Sequence, residues 1–266
     1  MLAIEDKVIW LTGASSGIGE EMAYQLSKKG AKLILSSRRS EELERVKNNC
    51  KGKHAEQIKI IPLDLSDSNS LAGKAEEALA QYKYIDILIN NGGISQRAKV
   101  IDTQMEVYRK IMEVDFFAPI QLSKLVLPSM LERNFGQHVV ITSVTGIIST
   151  PLRSAYAAAK HALHGFYDAL HAEVYNDNVR VTLICPGFIQ TNVSFNALTG
   201  DGKSQKKHDE DISKGMSPKL AVTKIIAAIE HRKEEVYFGG AKEMLAMRLK
   251  RFLPSVFAKV LRKQSS

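Results

Sequence analysis

Tyr156 and Lys160 stand four residues apart, and Ser143 precedes the tyrosine by thirteen. On a helix, an i, i+4 pair shares one face. An ammonium beside a phenol favours the phenolate by direct charge attraction. The phenol, whose unperturbed pKa is ~10, is therefore expected to fall toward working pH and to act as a general acid or base. Hydride delivery to a carbonyl carbon leaves an alkoxide that must take a proton, and this pair fits that task. Ser143 ends a predicted strand, where its hydroxyl can hydrogen-bond and polarise the same carbonyl oxygen. It is not placed to attack. A hydrolase elbow needs Gly-x-Ser-x-Gly, and the residue two before Ser143 is Ile141. His161, His164 and His171 share the helix, but no cysteine or acid stands at convincing metal spacing from them, so packing or interface roles are expected and no metal is predicted.

A second constellation fits a dinucleotide. Thr12-Gly13-Ala14-Ser15-Ser16-Gly17-Ile18-Gly19 follows an apolar run and opens a helical one. In that context glycines bring backbone N–H groups and a helix N-terminus up to a pyrophosphate. The spacing is Gly-x-x-x-Gly-x-Gly, not the commoner Gly-x-Gly-x-x-Gly, so the glycines alone are weak evidence. Some twenty residues on, Leu35-Ser36-Ser37-Arg38-Arg39 offers two guanidiniums where a carboxylate would bind the ribose 2′-hydroxyl of NAD. Fork-shaped donors suit a 2′-phosphate, which predicts NADP(H) rather than NAD(H). Asp64, with Leu65 beside it, is positioned either to accept from an adenine amino group or to cap the next helix. Asn90-Asn91-Gly92-Gly93 ends a fourth strand with small residues that admit the nicotinamide-side ribose, or simply forms a turn.

The elements that must position these groups are legible as apolar runs at Val8 to Leu11, Lys32 to Leu35, Ile58 to Pro62, Ile85 to Ile89, His138 to Thr142, Val179 to Ile184 and Val236 to Phe238. Stretches of helical period separate them: Gly17 to Lys29, Glu41 to Asn49, Asn69 to Gln81, Gln104 to Glu132, Arg153 to Tyr175 and Lys219 to His231. Alternation of this kind implies right-handed crossovers, hence an α/β, doubly wound, seven-stranded parallel sheet with helices on both faces. At 266 residues and 44% hydrophobic composition, one domain over 1–266 with a single sizeable core is expected. Cys50 and Cys185 are too few and too far apart for a disulfide scaffold, which fits a reducing compartment.

The net charge of +8 is local. Residues 241–266 hold seven Lys or Arg against one Glu, so six of the eight charges sit there, and nucleic acid is not the expected partner. Leu245, Leu249, Phe252, Leu253, Val256, Phe257, Val260 and Leu261 give this segment helical spacing, broken near Pro254. Such a basic amphipathic extension can lie on an anionic membrane surface, cover the substrate pocket, or meet a neighbouring subunit. Residues 198–215 are polar and charged with almost nothing to bury, and residues 194–215 are expected to form a mobile substrate loop. Arg97 and Arg153 are candidate contacts for a polar substrate head.

Together these residues resemble the short-chain dehydrogenase/reductase family over essentially the whole chain: the Thr12 to Gly19 turn, Asp64, Asn90 to Gly92, Ser143, Tyr156-x-x-x-Lys160 and Pro186-Gly187-Phe188-Ile189-Gln190-Thr191 follow its order and spacing. The stretches Arg153 to Ala162 and Thr191 to Gly202 look like the member 7B subgroup of dehydrogenase/reductases. The resemblance implies hydride transfer between NAD(P)(H) and a carbonyl or secondary alcohol, on apolar, lipid or steroid-like substrates. It also implies that Pro186, Gly187, Ile189 and Thr191 hold the nicotinamide end, that Lys160 binds ribose hydroxyls, and that homodimers or homotetramers pack through 104–132 and 153–176. Eukaryotic members of the subgroup carry an N-terminal anchor. Here the first strand starts at Lys7 and no run of 18 apolar residues occurs, so a soluble, cytoplasmic protein is expected.

Two departures from the family pattern stand out. Asp115 occupies the position of an asparagine that positions a water behind the lysine, and Gly93 stands where alanine is usual. A buried aspartate must be protonated or paired. The expectation is that Lys160 tolerates it, whereas the alternative function, a catalytically silent nucleotide-binding sensor or interaction module, has Asp115 as its sole support. The retained Ser143, Tyr156 and Lys160 weigh against that alternative, because a pure binder needs no proton donor.

Overall fold

The first strand, Val8–Thr12 (β1), is buried along its whole length, and its side chains split by period two: Ile9 and Leu11 join one core, Val8 and Trp10 another. That division identifies a sheet covered on both faces, and it explains why the strands read as unbroken apolar runs. The computed structural model describes residues 1–264. The other strands are Lys32–Ser36 (β2), Lys59–Ile60 (β3), Ile87–Asn90 (β4), Gly136–Ile141 (β5), Val179–Pro186 (β6) and Glu235–Phe238 (β7). All pair in parallel in the order β3-β2-β1-β4-β5-β6-β7. The sheet is therefore doubly wound, and winding reverses between β1 and β4, which opens a crevice beyond their C-terminal ends.

One face is covered by Gly17–Lys28 (α1), Ser40–Asn49 (α2) and Pro218–Glu230 (α8), the other by Leu71–Tyr82 (α3), Ala118–Glu132 (α5) and Ser154–Val174 (α6). The helix expected over Gln104 to Glu132 is interrupted. Met105–Met112 (α4) passes through a π-helical turn at Glu113–Phe117 before α5 begins. Pro119 has no N–H to offer the Asp115 carbonyl four residues back, so the α ladder cannot run unbroken there. As a continuous rod of 28 residues, Met105–Glu132 is long and apolar enough in composition to cross a membrane, although no unbroken apolar run announces it. Its inward residues Leu122, Val126 and Met130 are packed into the second core.

A buried polar knot fixes α5 and α6 to the sheet. Asn90 Nδ2 donates to the Tyr167 hydroxyl and to Ser123 Oγ, each at 3.1 Å, and to the Pro119 carbonyl at 3.3 Å. Tyr167 and Ser123 are 2.7 Å apart. Polar groups out of reach of water must pair, so this knot sets the position of α6, and with it Tyr156 and Lys160, relative to β4.

The segment expected to bury almost nothing is more anchored than its composition implies. It carries a short helix, Glu210–Ser213 (α7), whose Ile212 is buried, and Ala197 and Leu198 are buried too. At the C-terminal end, Ala241–Phe252 (α9) and Pro254–Gln264 (α10) form a helical pair with Pro254 opening the second helix; residues 265 and 266 of the predicted basic segment lie outside the described residues. Phe257 is buried against Val144 and Ile148, next to Ser143. None of the described residues of this extension lines the cleft; its inner face packs on the turn that follows Ser143. Its other face leaves Leu245, Phe252, Leu253, Val256 and Val260 exposed.

Replacing Asn90 with alanine removes a donor shared by three buried acceptors, which keep only the side-chain bonds among Tyr167, Ser123 and the Pro119 carbonyl. The expected cost is about 1–3 kcal/mol, seen as a lower urea midpoint at unchanged slope; a midpoint equal to the native one would show that the knot does not hold α6 in place.

Candidate active site

The loops after β1 and β4 are tied to one another before any ligand is considered. Thr12 Oγ1 accepts from the N–H groups of Asn91 and Gly92, each at 3.1 Å, and donates to the Ile89 carbonyl. The Asn91 amide donates to the carbonyls of Thr12 and Gly13, both at 3.1 Å. Asn91 is thus committed to holding the turn, and the space facing the cleft is made by the bare Gly92. Gly13 adopts φ +65° with Gly92 so near that an added Cβ would lie 2.7 Å from its Cα, and a Cβ at Gly19 would strike the Gly13 carbonyl oxygen. Glycine is required there by close approach as well as by backbone conformation.

A cleft of about 580 Å³ opens above these turns. Gly13, Ser15, Ser16, Gly17, Ile18, Arg38, Arg39, Asp64, Leu65, Asn91 and Gly92 line one end of it, and Asp115, Ser143, Tyr156, Lys160, Pro186, Gly187, Ile189 and Thr191 the other. Gly19 is the one predicted cofactor residue off this wall. Its role is to let α1 sit against the turn. The cleft fits a dinucleotide on its donor set: Ser16 makes no side-chain cap, so the first N–H groups of α1 keep their donors for an anion.

At the ribose end, β2 finishes in Ser36 with no carboxylate after it, and Arg39 Nη2 reaches across to Ser15 Oγ at 3.1 Å. Arg38 and Arg39 are both exposed at the mouth. Asp64 does not cap α3, which begins seven residues later. Its Oδ1 is taken by the N–H and hydroxyl of Ser66 at 2.9 and 2.7 Å, leaving Oδ2 to face the cleft. Burial works against its charge, but the Ser66 bonds and nearby Arg38 outweigh it and hold the carboxyl below the ordinary carboxylate range.

At the chemical end, Ser143 Oγ accepts from Thr145 N–H at 3.0 Å, which orients the hydroxyl and spares its proton for a substrate oxygen. Tyr156 and Lys160 lie on α6, the ammonium 5.5 Å from the phenol ring centre. Lys160 is only 4% exposed. One of its protons goes to the Ile141 carbonyl at 3.3 Å, and Asp115 Oδ2 stands 3.2 Å away. Burial disfavours the ammonium, yet Asp115 and Tyr156 more than compensate and hold it above the ordinary lysine range. Asp115 is fully buried, and that burial pushes its carboxyl up in spite of Lys160 and the Ile94 N–H, which donates to Oδ1 at 2.7 Å.

The two departures from the family pattern are one feature. A Cβ added at Gly93 would lie 3.0 Å from Asp115 Oδ2, tighter than ordinary contact, so the missing methyl makes room for the carboxylate that pairs with Lys160. The two residues are 22 apart in sequence, and Asp115 meets Gly93 from the π-helical turn, so their link is not visible in spacing.

Several contributors were not foreseen. Glu243 on α9 accepts from Phe188 N–H at 3.3 Å and so braces the segment after β6 that carries Ile189 and Thr191. Asp209 receives both Arg97 and Arg153. His164 does find partners: its Nδ1 lies 3.1 Å from Glu235 and its Nε2 3.8 Å from the Cys185 thiol, with all three donor groups inside 4.8 Å. The ring bridges carboxylate and thiol through different nitrogens, and burial pushes the thiol up to about 12.

Residues 7–200 match the family model described as short chain dehydrogenase. The chain is 42% identical to a "Dehydrogenase/reductase SDR family protein 7-like" of Anopheles gambiae, across 98% of this chain and 84% of that one. It is 38% identical to the bovine "Dehydrogenase/reductase SDR family member 7B", across 97% and 81%. Among solved structures, a short-chain dehydrogenase from Streptomyces avermitilis is 27% identical and superposes with a TM-score of 0.80, covering 98% of this chain and 97% of that one.

Replacing Asp115 with asparagine removes the charge that balances Lys160 and leaves a net positive site beside the phenol. The alkaline-rising limb of alcohol oxidation is then expected to move to lower pH by about one unit, with turnover retained in both proteins. Undetectable native activity that asparagine restores would overturn the reading of Asp115 as a tolerated partner.

Proposed function

Because the chain belongs to the short-chain dehydrogenase family, we propose that it interconverts a carbonyl and a secondary alcohol on an apolar or amphipathic substrate, with NADP(H) as the preferred cofactor. That it is an NAD(P)-dependent oxidoreductase acting on CH–OH groups follows from the family itself. The observation that carries the finer reading is the buried Lys160 ammonium beside the Tyr156 ring.

The cofactor supplies or accepts the hydride. In the reducing direction Tyr156 gives its phenolic proton to the oxygen that becomes the alcohol, and in the oxidising direction the phenolate takes that proton back. Lys160 keeps a positive charge next to the phenolate, and its remaining donor is available to ribose hydroxyls. Ser143 hydrogen-bonds the same oxygen and fixes which way the carbonyl points. A pure nucleotide binder would need none of these three groups. The preference for NADP(H) is supported by Arg38 and Arg39 at the end of β2, by the Arg39 contact to Ser15, and by the lack of a carboxylate where a 2′-hydroxyl would require one. Association through α5 and α6 into a homodimer or homotetramer is supported by the exposed Phe117 and Leu131 on the long rod.

With NADPH and a panel of aliphatic and steroid-like ketones, Tyr156→Phe is expected to lower kcat by roughly a hundredfold or more. Replacing Arg38 and Arg39 with alanine is expected to raise KM for NADPH roughly ten- to a hundredfold while changing that for NADH little. Equal use of NADH by the native protein would overturn the cofactor preference, and Tyr156→Phe turnover equal to native would favour the silent binder.

The outward face of α9 and α10, with Phe252 and Val256 among Arg248, Lys250 and Arg251, also fits the surface of an anionic bilayer. Phe252→Asp with Val256→Asp is expected to abolish flotation with anionic vesicles, and unchanged partitioning would remove the membrane contact.

A further inference from the structure

Two guanidiniums and a single carboxylate meet at the edge of the cleft. Arg97 places Nη2 at 2.6 Å and Nε at 2.8 Å from Asp209 Oδ2, and Arg153 Nη2 stands 3.1 Å from the same oxygen. Three charge-bearing donors therefore crowd one acceptor, while Asp209 Oδ1 takes only the Gln205 amide at 3.2 Å. The arginine side chains are 9% and 17% exposed, and both line the cleft that holds Ser143 and Tyr156. Asp209 is not on that wall. It arrives from the 194–215 segment, at the position just before α7.

The charges do not balance. Two partly buried cations share one anion, and Arg153 is moreover the N-cap residue of α6, at the positive end of a 21-residue helix where a cation is disfavoured and an anion welcome. Burial and the neighbouring Arg97 both work to lower Arg153's hold on its proton. Arg97 is in turn fixed from behind by Ser95 Oγ at 2.8 Å, and Arg153 by Thr150 Oγ1 at 3.0 Å and by the Phe188 ring at 5.7 Å. Both forks are thus held in place independently of Asp209, as a site requires if its occupant is to be exchanged.

We propose that Arg97 and Arg153 form a subsite for an anionic group of the substrate, a carboxylate, phosphate or sulfate, and that Asp209 occupies it as an internal stand-in until the substrate arrives. This rests on the reading of the cleft as the pocket of a carbonyl reductase, and it adds that the substrate carries an anionic head. Arg153, as the N-cap residue of α6, stands just ahead of the helix that carries Tyr156, and both line the same cleft. The charged head and the reacting carbonyl therefore belong to one molecule. A multi-oxygen anion satisfies both forks better than one crowded carboxylate oxygen does, and displacing Asp209 frees the segment that carries α7. Substrate entry and loop opening are thereby coupled through a single exchange of anions.

Calorimetric titration of the native protein with decanoate and with decanol, NADP+ being present throughout, tests this without requiring turnover. Decanoate is expected to bind at least tenfold more tightly, with an advantage that shrinks as ionic strength rises. Arg153→Gln is expected to erase most of that advantage. Asp209→Asn is expected to tighten decanoate several-fold and to leave decanol unchanged, since only the charged probe competes with the internal anion. A clamp that merely holds the loop would instead weaken both probes alike in Asp209→Asn, and that result, or equal affinity of the native protein for the two probes, overturns the proposal. The two levels separate cleanly. A decanoate preference without NADPH-dependent turnover of any ketone leaves the subsite standing and removes the reductase reading, whereas turnover of neutral ketones with no decanoate preference does the reverse.

Discussion

A lysine ammonium buried in the floor of a cleft is the constraint around which the rest of this molecule is arranged. Lys160 cannot be left uncompensated at 4% exposure, because an unpaired charge away from water costs several kcal/mol or more. Compensation comes from Asp115 and the Ile141 carbonyl, each supplied by a different element. Asp115 reaches it from the π-helical turn that precedes Pro119, and Gly93, with no side chain, leaves its carboxylate room. The knot of Asn90, Ser123 and Tyr167 then holds α6 where the ammonium meets these partners. Folding and chemistry share one set of contacts here, since the interactions that make the buried charge tolerable also hold it beside Tyr156.

The nucleotide end follows a different logic, in which what matters is what has been left unmade. The helix α1 has no side-chain cap, β2 has no terminal carboxylate, and Gly13 and Gly92 have no side chains at the point where two loops nearly touch. These absences preserve donors and space for a phosphate-bearing ligand. Thr12 and Asn91 offset the resulting openness by cross-linking the ends of β1 and β4 with hydrogen bonds. The rim carries the remaining positive charge, as Arg38 and Arg39 at one end and Arg97 with Arg153 at the other.

Periodicity, glycine placement and the spacing of Tyr156 and Lys160 were enough to fix the winding of the sheet, the location of the cleft and the presence of both side chains on its wall. Those features are local. An apolar run announces a doubly covered strand, four residues are one helical turn, and a glycine turn between strand and helix reads the same in any context. The sequence also placed Ser143 at the end of the strand before Tyr156, two residues beyond where β5 stops, and two arginines where the second strand ends.

Tertiary structure alone decided how the charges are paired. That Asp115 finds Lys160 depends on a one-residue change of helical register that no periodicity count reveals, and that Gly93 matters to Asp115 follows only from that change. Arg97 and Asp209 are 112 positions apart, and Glu243 reaches Phe188 from a helix whose composition left membrane, pocket and subunit contacts all open. His164 gained Glu235 and Cys185 from two neighbouring strands that sequence spacing could not bring together. The physical reason is common to all four. Backbone geometry sets which face a residue occupies from its near neighbours, but the partner of a buried charge is chosen by packing between distant segments, where each ion must find a counterpart or not be buried.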